Sequence, residues 1–214
     1  YMTTPGQSRL MDRWAEGILH TVIEIAPRAL AEPRDYAVMS EYMLAATLAL
    51  NDMIRMGVTQ DWATHMIGHE LTALHGLTHG ATLAIVINGT LRVLREQKRG
   101  KLLQYGERIW GIAEGTEEER IDRTIEATER FFRSLGLSTR LSEEGIGAET
   151  IVEIERRFDA LGAPDSGGLS LRGRMSLHGK SPQSPDCGDF SCERERVIRP
   201  RRTWRRSDCR GHRP

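Results

Sequence analysis

Apolar positions recur at steps of three and four through most of the chain. Between positions 7 and 25, Leu10, Met11, Trp14, Ile18, Leu19, Val22 and Ile23 fall on one stripe, the pattern of a helix with a single buried face. Pro27 has no backbone N–H and is expected to kink or end this helix. A second helix is expected from Tyr36 to about Met56, stopped by Gly57. Thr59, Gln60 and Asp61 can cap a third that starts near Trp62. Gly76 interrupts it, and a fourth begins around His79 to Ala81. Lys101 to Ile112 and Glu117 to Leu135 are amphipathic, with a cap at Gly115–Thr116 between them, and Ala148 to Leu161 gives one more helix. Leu83 to Ile87 is the ambiguous run, and its Ala-rich lead-in favours a buried helix over a strand. The expected fold class is all-α, a helical bundle over residues 1–163.

From residue 164 the period is lost, and Ser, Gly, Pro, Arg and Cys dominate. Such a segment cannot bury enough apolar surface to offset its ordering entropy, so residues 164–214 are expected to be a disordered tail. Residues 166–214 hold 12 Lys/Arg against 5 Asp/Glu, whereas residues 1–165 hold 18 against 25. The net charge of +0 therefore hides an acidic body and a basic tail. Two readings of the tail follow. One is a nucleic-acid-binding arm from Arg194 to Arg213, with Trp204 interleaved. The other, which is favoured, is a shifted reading frame in a GC-rich gene, so a nucleic-acid partner is not expected. All three cysteines (Cys187, Cys192 and Cys209) lie in the tail, and the body needs no oxidising compartment. No apolar run approaches the roughly 18–20 residues of a membrane span, and the first residues lack the pattern of a secretory signal. A soluble, cytoplasmic protein is expected. The opening Tyr1 fits a sequence that starts within a longer protein.

Candidate chemistry is concentrated in the middle of the body. Four of the seven histidines, His65, His69, His75 and His79, fall within fifteen residues. His65/His69 and His75/His79 are i, i+4 pairs, each on one helix face and suited to a metal or a polar pocket. His65 and His79 would be about 21 Å apart on one straight helix. They can share an ion only if the chain folds back between them, and Gly76 is placed to make that turn. The alternative is a set of surface or capping histidines. His69–Glu70 begins the His-Glu-x-x-His pattern of metalloproteases, but Ala73 stands where the second histidine is required. No dinucleotide-binding glycine fingerprint or phosphate-binding loop is present.

The stretch from Asp61 to Val86, with its four histidines and Gly68, Gly76 and Gly80, is similar to the signature of the group III, iron-containing alcohol dehydrogenases. Lys101 to Trp110 and Glu117 to Asp122 resemble the branch of bacterial NADPH-dependent aldehyde reductases and butanol dehydrogenases. The resemblance covers about residues 1–162. It implies the helical C-terminal domain of an enzyme whose N-terminal α/β domain binds NADPH or NADH. It further implies one divalent ion, iron or zinc, held by one Asp and three His. His65 and His79 match two of these metal ligands. His69 matches a histidine that lines the substrate and nicotinamide side, and is assigned the catalytic position. His75 matches a position that is often aromatic and is not assigned as a ligand. The remaining Asp and His ligands and the whole cofactor domain are expected upstream of Tyr1. Asn88 stands where the family usually has proline.

The resemblance thus implies part of an oxidoreductase that transfers hydride between NAD(P)H and a small aldehyde or alcohol, homodimeric as a whole and inactive as this chain alone. The alternative is a non-catalytic helical metal-binding or interaction module.

Overall fold

The computed structural model describes residues 1–3 and 8–160. They all lie in one of two units into which the chain divides, Tyr1–Lys180, while Ser181–Pro214 is outside the described residues. The expectations about the tail, and about Leu161 in the last helix, therefore fall outside this description. Among the described residues there is no strand, and the fold is all-α. Seven helices follow in order: α1 (Arg9–Ala31), α2 (Tyr36–Leu50), α3 (Ala63–His75), α4 (His79–Val93), α5 (Arg99–Trp110), α6 (Glu117–Ser134) and α7 (Glu149–Ala160). Short 3-10 turns at Met53–Arg55 and Leu141–Glu144 lie between α2 and α3 and between α6 and α7.

Local chemistry explains several helix ends. Ser8 and Asp35 accept backbone N–H groups at the starts of α1 and α2. Thr116 and Glu119 form a reciprocal capping box at the start of α6. Two boundaries differ from the sequence expectation. Helix α1 runs through Pro27 to Ala31. Proline removes one hydrogen bond within the last turns, while Ile25 and Ala26 beside it are buried and hold the helix against its neighbours. Helix α2 stops at Leu50, before Gly57. The Asn51 side chain accepts the N–H of Met53, and Asp52 takes a left-handed conformation with φ +72°. Short polar side chains offer the backbone this alternative to the helix.

The helices associate as sequential neighbours, α1 with α2, α3 with α4 and α5 with α6. Helix α4 lies between two apolar cores. Its Val86 joins Ala63, Ile67 and Leu71 of α3 and Ile154 and Phe158 of α7. Its Leu91 joins Leu102 of α5 and Ile121 and Ile125 of α6. Burying each of these larger side chains contributes roughly 1.5–3 kcal/mol, so α4 is held from both sides. Helix α2 buries Val38 and Ala45 but leaves Tyr36, Met43, Leu44 and Leu50 exposed.

Candidate metal centre

The site is assembled at the reversal between α3 and α4. Asp61 Oδ1 accepts the N–H of Ala63 at 2.9 Å and so fixes where α3 begins. At the other end, Gly76 adopts φ +69° and its N–H closes the helix on Thr72 O. Glycine reaches this conformation without the steric cost that a Cβ would add. The chain turns there and re-enters a helix at His79. The predicted fold-back is therefore present.

Close packing of the two helices does the rest. Gly68 faces Thr82 and Leu83 of α4, and a Cβ at position 68 would come within 2.9 Å of Thr82 Oγ1. The missing side chain lets the helices approach where the histidines lie. The ring centres of His65 and His79, fourteen residues apart in sequence, are 5.2 Å apart with planes at 57°. His69 is stacked on His79 at 4.4 Å with planes at 6°. His65 and His69 are 6.4 Å apart.

These angles bear on what the cluster can hold. An imidazole nitrogen directs its lone pair within the ring plane, so an ion lies near the plane of every ring that binds it. The planes of His65 and His79 cross. Bonds of about 2.0–2.1 Å at tetrahedral angles put two such ring centres about 5 Å apart, close to the distance found. The planes of His69 and His79 are parallel and do not meet at a common point. Among the described residues no group of three or more His, Cys, Asp or Glu side chains is arranged to hold an ion. His79 Nδ1 is buried without a hydrogen-bond partner among the described residues. A buried polar atom in that state is costly, and an ion bound to that nitrogen would relieve it. The residues present thus fit a divalent ion.

His65 is held below the ordinary imidazole range by burial first, and then by the nearby His79 and His69. It is therefore neutral at pH 7, the state in which imidazole binds metals. Folding is linked to this proton. The unfolded imidazole takes it up near pH 6.5, the folded one only at lower pH. Stability is complete above that value and is lost as pH falls through His65's lowered one. Urea unfolding of the metal-free chain should therefore show a lower midpoint at pH 5.5 than at pH 7.5, with a smaller drop in His65→Gln. Equal drops in the two chains would assign the linkage elsewhere.

The other histidine of the stretch has a structural partner. His75 Nε2 lies 3.0 Å from Thr150 Oγ1 and joins α3 to α7. Glu70, the residue of the protease-like pattern, is paired with Arg157 at 3.1 Å. Two contacts at the start of α3 were not singled out by sequence. Trp62 lies edge-on to His65 with ring centres 5.2 Å apart. Lys98 reaches Asp61 Oδ2 at 2.7 Å. The available signal was the i, i+3 spacing of Trp62 and His65, which puts both on one helix face.

Residues 1–158 match the model of the Fe-containing alcohol dehydrogenase family, C-terminal. The NADPH-dependent aldehyde reductase YqhD of Escherichia coli is 50% identical over 167 residues, covering 78% of this chain and 43% of that protein. The NADH-dependent butanol dehydrogenase A of Clostridium acetobutylicum is 33% identical over 144 residues, 66% of this chain and 37% of that protein. A substrate- and cofactor-free structure of the aldehyde reductase YqhD superposes with a TM-score of 0.79 at 46% identity, over 83% of this chain and 48% of that one. The chain spans less than half the length of these relatives.

Proposed function

Because this chain belongs to the Fe-containing alcohol dehydrogenase family, we propose that it supplies the helical, metal-holding part of an enzyme that moves hydride between NADPH or NADH and a small aldehyde or alcohol. The observation that carries this reading is the convergence of His65 and His79 across the α3–α4 reversal, 5.2 Å apart with crossing planes. These two imidazoles would hold a divalent ion, iron or zinc. When bound, such an ion acts as a Lewis acid that polarises a carbonyl oxygen.

His69 has a different role. Its ring is parallel to that of His79 and is exposed. It faces the open side of the cluster, where its imidazole can orient a substrate and exchange a proton with the product oxygen. Trp62, just before α3, and Met66 on it, both partly exposed, give this side an apolar rim suited to a short alkyl chain. We place the enzyme in the cytoplasm; among the described residues no helix is long and apolar enough to cross a membrane. We read the whole protein as a homodimer, and the exposed apolar residues of α2 are surface of the kind that oligomers or adjoining domains cover.

The test is NADPH oxidation with butanal. The 214-residue chain is assayed alone and joined to the preceding portion of the E. coli reductase. Hydride transfer needs cofactor and carbonyl held about 3–3.5 Å apart, and the relatives use more than twice the matched length. The chain alone should show no turnover and the joined protein should. A joined protein that folds and loads metal but fails to oxidise NADPH with any short aldehyde would favour the non-catalytic metal-binding module.

A further inference from the structure

We infer that Trp62 is a positioning residue for His65, its indole in edge-to-face contact holding the imidazole in place against His79. The inference deepens the metal-holding role proposed above and takes its purpose from that reading. The two ring centres are 5.2 Å apart and their planes stand at 70°, the edge-to-face arrangement that aromatic quadrupoles favour. Trp62 fills no core, since it is 39% exposed, yet the residues on either side of it are fixed. Its Nε1 donates to Gln60 Oε1 at 3.0 Å. Asp61, before it, accepts from Ala63 N at 2.9 Å and from Lys98 Nζ at 2.7 Å. Lys98 Nζ is buried and also donates to Met2 O at 2.7 Å. Thr64, two residues on, has its hydroxyl 3.0 Å from that of Thr90 on α4.

The backbone on both sides of Trp62 is thus tied to α4 and to the start of α5. The indole is left as a rigid wall beside the half-buried ring of His65. Without that wall the imidazole gains rotamers that turn it away from His79. Groups that orient a metal ligand in this way typically change affinity 10–100-fold when removed.

The experiment reads ring position without metal. In the full 214-residue chain with isotopically labelled histidine, nuclear Overhauser effects between the His65 and His79 rings are measured, together with those between Leu71 and Val86, which pack across the same two helices. Trp62→Ala should remove the histidine cross-peaks and leave the Leu71–Val86 ones, and Trp62→Phe should restore them. Zinc affinity, measured by competition with a chromophoric chelator, should fall 10–100-fold in Trp62→Ala and recover in Trp62→Phe. Histidine cross-peaks that persist in Trp62→Ala overturn the inference. So does their loss together with the Leu71–Val86 peaks, which would make Trp62 a general structural residue. If the rings respond as expected but zinc binds neither chain, the positioning role stands and the metal reading fails.

Discussion

His65→Ala or His79→Ala, made in the protein joined to the preceding portion of the E. coli reductase, should strip the metal and abolish turnover, whereas His69→Ala should keep the metal and lower turnover by about 10²-fold or more. Removing one imidazole from a half-site of two leaves a single ligand from this chain, and the fit between crossed ring planes is lost. Removing His69 takes away a ring whose plane is parallel to that of His79. The metal position is untouched, and the loss is confined to orientation and proton exchange at the substrate. Metal content by mass spectrometry and the rate of NADPH oxidation, measured on the same samples, separate the two outcomes. Loss of metal in His69→Ala, or full metal content in His65→Ala, would reverse the assignment.

Lys101→Met should destabilise the chain by about 3–5 kcal/mol, the usual effect of removing one partner from a buried ion pair. Lys101 is 1% exposed, and its Nζ donates to Asp12 Oδ1 at 2.6 Å. Gln104 donates to the other oxygen of Asp12 and to Glu16, which also takes the Tyr1 hydroxyl and the Arg108 guanidinium. Burial pushes the Asp12 carboxyl up, but hydrogen bonds from Lys101 and Gln104 and the charge of Lys101 outweigh it and leave it below the ordinary carboxylate range. Asp12 is therefore charged at pH 7, and Lys101→Met would strand that charge between α1 and α5. For a domain of ordinary stability, about 5–15 kcal/mol, the loss shows as a large fall in the urea midpoint. Adding Asp12→Leu should recover most of it, because an apolar pair of similar volume leaves no buried charge. A single Lys101→Met variant within 1 kcal/mol of the parent would mean that water reaches this pair.

The all-α class and the order of the helices were legible because most helices carry their own apolar stripe and some of their stops. Gly76 announced the reversal, since a fourteen-residue separation of two candidate ligands demanded one there. Helix α2 was harder. It is apolar on all sides, so periodicity gave no end, and the stop came from the Asn51 side chain and a left-handed Asp52. The histidine stretch could be found from spacing and resemblance alone. The sequence could not tell which histidines converge, because that depends on ring planes set by how closely α3 meets α4 at Gly68. Nor could it show that Lys101 is buried. Its carboxylate partner lies 89 residues away, and the hint in the sequence was that Asp12 and Glu16 interrupt the apolar stripe of α1. Local periodicity and turn chemistry are properties of neighbouring residues, and the sequence by itself determined them. Ring orientation at His65 and His79 and the burial of the Lys101–Asp12 pair depend on packing between side chains of separate segments, and only the tertiary structure decided them.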